Sequence, residues 1–168
     1  MSYDLYKKVG IEILASLQNK ENAVVAISTS NESVDTYAVA RELADAFVLM
    51  NLSATVVNAK VDGSDAILNS QPKKINDKLF EVLFEKTNGQ KMTSLLAKRV
   101  LDEIKELADV TIIALDELTN SAPAMMLSSC CDGVVLAERK NVSRTDNIDK
   151  TVQIITNICV KPLGFILV

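Results

Sequence analysis

The sequence predicts an α/β fold, a three-layer sandwich with a mostly parallel sheet and helices on both faces. Three observations carry this. Four apolar runs, at residues 23–27, 110–115, 134–137 and 165–168, lack the alternation of a half-exposed strand. Strands of that kind are buried on both faces, as parallel strands under helices are. The runs alternate along the chain with amphipathic segments of helical period, the pattern of successive β–α–β units. The chain has 168 residues, 48% of them hydrophobic, which suits one globular domain over residues 1–168.

The elements follow in order. Residues 2–17 read as a leading helix whose apolar stripe is Tyr6, Val9, Ile13 and Leu17, with Lys7, Lys8 and Glu12 on other faces. Residues 19–22 are a polar break. The run at 23–27 is a buried strand, expected at the centre of the sheet. A polar turn, Ser28 to Ser33, leads into a helix with the stripe Val39, Leu43, Ala46, Phe47 and Met50. Arg41 and Asp45 lie one turn apart on its outer face, where they can pair. Residues 53–58 form a second strand, β-branched at Thr55, Val56 and Val57.

Residues 60–77 are polar and read as a long loop with a helical turn at 65–69. Residues 79–85 are read as a strand, with a short helix as the alternative. Thr93 caps a helix that runs to Leu107, with the stripe Leu96, Val100, Ile104 and Leu107. Lys98–Asp102 and Arg99–Glu103 are four-apart charge pairs on its solvated face. After the strand at 110–115, residues 120–131 form a helix with Pro123 in its first turn. Residues 133–138 are the next strand. A helix opens at Thr145 or Asp146, carries Ile148, Val152, Ile155 and Ile158, and is stopped by Pro162 before a last strand at 163–168.

Composition excludes several functions. There is no histidine, so a serine–histidine triad and a histidine-ligated zinc site are ruled out. Net charge is −4, and no basic cluster exceeds two adjacent residues, which argues against nucleic-acid binding and a polybasic membrane patch. No apolar run approaches a membrane span, so no direct membrane insertion is expected. The start, MSYDLYKKVG, lacks the apolar core of a signal peptide, and a cytoplasmic location follows as the expectation. Aromatic content is 4%, with no tryptophan, too little for a base-stacking platform. Cys130, Cys131 and Cys159 make no disulfide framework and read as small buried residues.

The stretch from residue 23 to 50 has the architecture of a phosphate-binding site: strand, loop, then a helix N-terminus. Its loop lacks glycine. Ser28, Thr29, Ser30 and Asn31 read as a capping turn that satisfies its own backbone amides. Asp116 and Glu117 read as solvated loop carboxylates.

The order of elements, together with the phrase CDGVVLAERKNVSRTDNIDKTVQIITNICVKPLGFILV, resembles one family. It is that of the bacterial capsule and exopolysaccharide tyrosine kinases, relatives of the deviant Walker MinD and ParA ATPases. The leading helix favours the kinase branch, since MinD and ParA chains usually begin at the first strand. The Asp132-Gly133 pair and the closing Leu163-Gly164 strand are the parts most similar to it. The resemblance implies a P-loop-NTPase-like fold.

The resemblance also assigns site positions. The family's phosphate loop maps onto Ser30 to Tyr37. Asp35 stands where its glycine belongs, Thr36 where its lysine belongs, and Tyr37 where its magnesium-holding hydroxyl belongs. The two aspartates after the second strand map onto Asn58 and Lys60, and the Walker B aspartate onto Ala114. The family's closing tyrosine cluster has no counterpart in residues 1–168. Loss of the glycine, lysine and metal-holding groups removes phosphate wrapping, charge neutralisation and magnesium together. No cofactor or metal is therefore expected.

In the family the leading helix carries an acidic–basic motif for ring-like self-assembly, and a membrane adaptor is the partner. Asp4 and Lys7 match part of that motif, and its second basic position falls on Gly10. Tyr3 and Leu5 lie off the inward stripe and complete a candidate interface. The expected function is that of a non-catalytic relative acting through protein contact in polysaccharide assembly or export. Its partner is expected to be itself, an active homologue or a membrane adaptor. Two alternatives stand beside it. One is a nucleotide-dependent kinase or ATPase with unorthodox phosphate contacts, the other a MinD- or ParA-like scaffolding protein.

Overall fold

The structure is a computed structural model, and it describes residues 3–60, 66–67, 71–86 and 92–168. Helix α1 (Tyr3–Ser16) leads into strand β1 (Ala23–Ser28), then α2 (Thr36–Leu49) and β2 (Ala54–Asn58). Short strands follow: β3 (Ala66–Ile67), β4 (Lys73–Asn76), β5 (Leu79–Leu83) and β6 (Glu85–Lys86). Then come α3 (Ser94–Ile104) with a 3-10 turn (Lys105–Leu107), β7 (Val110–Ala114), α4 (Ala122–Ser129), β8 (Gly133–Glu138), α5 (Thr145–Asn157) and β9 (Lys161–Leu167).

Seven strands form one sheet in the order β4-β5-β2-β7-β1-β8-β9. Every neighbouring pair is parallel except β4 with β5. β3 and β6 pair separately as an antiparallel ribbon. The expected α/β sandwich is therefore present. β1 lies inside the sheet between β7 and β8, although β7 takes the middle place.

Successive side chains of a strand point to opposite faces, and here both faces are covered. Val25 and Ile27 of β1 face a core closed by α1 and α2, which contribute Tyr6, Ile13, Leu43 and Phe47. Val24 and Ala26 face a second core closed by α3, α4 and α5, which contribute Ala97, Leu101, Leu127 and Ile155. Leu43 and Phe47 are fully buried, and burying side chains of that size stabilises by about 1.5–3 kcal/mol each. α1 lies close on α2. A Cβ at Gly10 would come within 3.0 Å of Met50 Cε and 3.1 Å of Phe47 Cε1.

Several expectations need correction. The 60–77 segment contains β4, an edge strand bearing Lys73 and Lys74, rather than loop throughout. Ala66 and Ile67 are strand, not helical turn, and the other positions of that turn lie outside the described residues. Residues 79–86 form two strands broken at Phe84. The buried stripe of α3 is Ala97, Val100, Leu101 and Ile104, leaving Leu96 half-buried at its margin.

The run at 165–168 is not buried on both faces. It lies in β9, an edge strand, where Ile166 is buried but Phe165 and Leu167 are more than half exposed. Pro162 does not stop α5, which already ends at Asn157, but sits inside β9 beside a register shift. Proline is tolerated there because an edge strand can spare an N–H. Cys159 is exposed, whereas Cys130 and Cys131 are half-buried.

Candidate functional site

The candidate site is the crevice at the carboxyl ends of the strands, where open α/β sheets bind ligands. Register brings three strand ends level there, since Ile27 and Asn58 both pair with Ala114. The loop from Thr29 to Asp35 leaves β1 and enters α2 at that edge.

Its polar groups are occupied from within. Asp35 is the N-cap of α2, and its Oδ1 accepts from the Tyr37 and Ala38 amides, each at 3.1 Å. These are two of the orphan donors that a phosphate at a helix N-terminus would use. Asn31 Oδ1 accepts from the Ser33 amide at 2.9 Å, and Thr29 Oγ1 from the Asn31 amide at 3.0 Å. Thr36 is fully buried and donates its hydroxyl to the Leu115 carbonyl at 2.9 Å. Ser28 donates to the Asp116 carbonyl at 2.8 Å.

Ser30 has a partner that sequence reasoning missed. Its amide donates to Glu138 Oε1 at 2.8 Å and its hydroxyl to Oε2 at 2.7 Å. Glu138 is the last residue of β8 and only 1% exposed. A carboxylate of the chain itself thus takes the loop's first donors. Arg139, next along, donates from Nη2 to the Ser33 carbonyl at 3.1 Å, so the end of β8 holds the loop at both ends. The available signal was a carboxylate closing an otherwise unbroken apolar strand, GVVLAE.

The electrostatics of the crevice are acidic. Burial, and then the neighbouring Glu32 carboxylate, push the Glu117 pKa up, with Glu138 adding in the same direction. Glu117 also accepts from Asn120 at 2.8 Å. Asp116 and Glu117 are half-buried rather than freely solvated. Among the described residues no cluster of three or more acidic or cysteine side chains is placed to hold a metal ion.

The other expected positions are spread apart. Tyr37 turns away from the loop and donates its hydroxyl to Glu81 on β5; burial first, then that bond, raises its pKa to about 12. Arg41 reaches the same Glu81 at 3.8 Å and its helical partner Asp45 at 3.5 Å. Asn58 ends β2, and its Oδ1 accepts from the Lys60 amide at 3.3 Å. Lys60 is exposed. Ala114 ends β7, fully buried, with its carbonyl accepting from the Ala59 amide at 3.1 Å. On α1, Tyr3, Asp4, Leu5 and Lys7 are all exposed.

No protein-family model matches the sequence, and no curated protein matches it. Solved structures do match. The kinase domain of the Escherichia coli tyrosine kinase ETK superposes with a TM-score of 0.72 at 14% identity, covering 92% of this chain and 70% of that one. The chimerical protein CapA2B2 gives 0.75 at 14%, covering 96% and 82%. MinD in its complex with MinC, a cell division complex of Aquifex aeolicus, gives 0.67 at 9%, covering 86% and 67%. The structural neighbours are thus bacterial tyrosine kinase domains and MinD- or ParA-like ATPases, and the shared property is the fold.

Proposed function

We propose that this chain is a non-catalytic relative of the bacterial capsule and exopolysaccharide tyrosine kinases, working through protein contact. The observation that carries this is the occupation of the loop between β1 and α2 by the chain's own side chains. Glu138 sits on the Ser30 amide and hydroxyl, and Asp35 on the Tyr37 and Ala38 amides. A nucleotide phosphate would have to displace two carboxylates and then lie beside them. At a few ångströms and intermediate dielectric, each such like-charge contact costs on the order of kcal/mol.

The residues at the mapped motif positions support the same reading. Asp35, Thr36 and Tyr37 supply no lysine for the outer phosphates, and Asn58, Lys60 and Ala114 supply no carboxylate for magnesium. Thr36 and Tyr37 are moreover committed elsewhere, to Leu115 and Glu81. The fold still presents surfaces, and the exposed Tyr3, Asp4, Leu5 and Lys7 on α1 are the proposed contact. The partner is a second copy, an active homologue or a membrane adaptor.

Calorimetric titration with ATP and magnesium to millimolar concentration tests the reading. The expected result is no saturable heat. A saturable heat that disappears in Ser30→Ala would overturn the proposal and favour an unorthodox nucleotide-dependent enzyme.

A further inference from the structure

β9 is the last strand of the sheet, with β8 on one side and no strand on the other among the described residues. The Val168 amide donates to the Glu138 carbonyl at 2.8 Å, so the main chain of Val168 faces β8. Main-chain direction alternates along a strand, and Phe165 and Leu167 therefore turn their N–H and C=O groups outward. Their side chains, more than half exposed, share the face opposite to that of the buried Ile166.

Two observations separate this edge from an ordinary solvated one. Soluble proteins guard open sheet edges with charge, lysine above all. The opposite edge is guarded in this way, since β4 bears the exposed Lys73 and Lys74. From Pro162 to Val168 the chain has no charged side chain. Lys161, at the start of β9, turns its Nζ to the Ser16 carbonyl at 2.7 Å. The second observation is that the edge is complementary to itself. Its two outward-facing residues, Phe165 and Leu167, lie one on each side of Ile166, so a two-fold axis there matches each with the other.

We propose that β9 pairs antiparallel with β9 of a second copy of this chain, about a two-fold axis at Ile166. In that register Phe165 of each copy stands opposite Leu167 of the other, and each such pair exchanges both main-chain bonds. Every outward N–H and C=O of the two residues is then used. Their side chains form one apolar row, made of cross-strand pairs of a stabilising kind. On the other face Val168 stands opposite Gly164 of the second copy, where a Cβ would meet nothing within 4 Å and the isopropyl group has room. Pro162 has no N–H and confines the pairing to the second half of the strand.

The occupant is a strand, because a helix or an apolar surface would cover these main-chain groups without bonding them. Pairing with β4 of another copy would set Lys73 and Lys74 against the apolar row, and a head-to-tail contact of that kind need not close into a dimer. The pairing strands alone bury less than the roughly 1,000 Å² of a stable interface. The dimer therefore forms at high concentration and parts on dilution.

The test is sedimentation of the full chain from micromolar to millimolar concentration, with amide hydrogen exchange over the same range. A monomer–dimer equilibrium is expected. The Phe165 and Leu167 amides become protected as the dimer forms, whereas the Val168 amide is protected throughout by Glu138. Phe165→Lys places a charge on the exposed row and is expected to raise the dimer dissociation constant on the order of a hundredfold, since the symmetric pair loses two rings. Leu167→Pro removes an outward N–H and no bond to β8, so it abolishes the dimer, while Leu167→Ala keeps the N–H and weakens it less. If the proline variant does not fold, Phe165→Lys carries the test, because that side chain is exposed. Four outcomes would overturn the proposal. They are a monomer at every concentration, a dimer in which the Phe165 and Leu167 amides stay open, a dimer unchanged by Phe165→Lys, and growth beyond the dimer. None of them bears on the ATP titration, and nucleotide binding there would overturn the non-catalytic reading without touching β9.

Discussion

Glu138 is the residue on which the loop depends most. It is buried at the end of an apolar strand, and it accepts both donors of Ser30. Removing a buried acceptor leaves its donors stranded, which costs about 1–3 kcal/mol. Glu138→Ala is therefore expected to lose about that much stability in urea unfolding, and Ser30→Ala less, since the Ser30 amide keeps its partner. Equal stability of Glu138→Ala and wild type would contradict the geometry. Glu117 gives a pH signature of opposite sense to an ordinary paired carboxylate. Its folded pKa is raised above 4.5 by burial and by Glu32. The folded state then binds its proton more readily than the unfolded state, so stability falls as pH rises from the unfolded pKa through the folded one. Glu117→Gln removes that loss and keeps an oxygen for Asn120. The variant is expected to be more stable than wild type at neutral pH, with the difference shrinking as pH falls below the unfolded value. A difference independent of pH would mean that Glu117 is not the group responsible.

At the scale of elements, the sheet edge at β8–β9 is closely packed at Gly133. A Cβ at Gly133 would lie 2.5 Å from Leu163 Cδ1 and 2.6 Å from its Cγ, so the strand start and the β9 side chain fit only without one. Overfilling such a contact costs about 1–3 kcal/mol. Gly133→Ala is expected to lose stability in that range, and Gly133→Ala combined with Leu163→Ala to recover part of it. No recovery in the double variant would place the strain elsewhere. The same edge corrects the sequence reading. Apolar composition at 165–168 looks identical to that of a buried strand, but only neighbours decide burial. β9 has a strand on one side and incomplete cover on one face, so Phe165 and Leu167 stay exposed while Ile166 does not. β4 hides from sequence reasoning for the converse reason: KKIN has no apolar period, and its strand state comes from pairing with β5.

For the whole molecule, the proposed non-catalytic reading leaves no nucleotide to bias two states, so assembly would rest on fixed surfaces. The proposed contact through α1 is accordingly constitutive. Light scattering is expected to give the same assembly state with and without ATP. The double variant Tyr3→Ser, Leu5→Lys is expected to weaken self-association, or association with an added active homologue or adaptor. This variant is the better test than removing α1, because α1 buries Tyr6 and Ile13 in the core. An unchanged state in the double variant, or a state that follows ATP, would remove the contact from α1.

The sequence alone determined the class of fold. Unbroken apolar runs such as 23–27 and 110–115, alternating with stripes such as Val39, Leu43 and Phe47, leave few other ways to bury that much surface. It determined only part of the loop after the first strand: Thr29 and Asn31 bond to the nearby Asn31 and Ser33 amides as a local turn should, whereas Ser28 and Ser30 bond to Asp116 and Glu138 far along the chain and the cap of α2 is Asp35. The tertiary structure alone decided what fills the crevice. Glu138 lies 108 residues from Ser30, and no local pattern announces a partner at that distance. The same holds for Tyr37 with Glu81. Periodicity records which face of an element is buried. Which polar groups converge at strand ends depends on strand order and register, and these are set only when the sheet assembles.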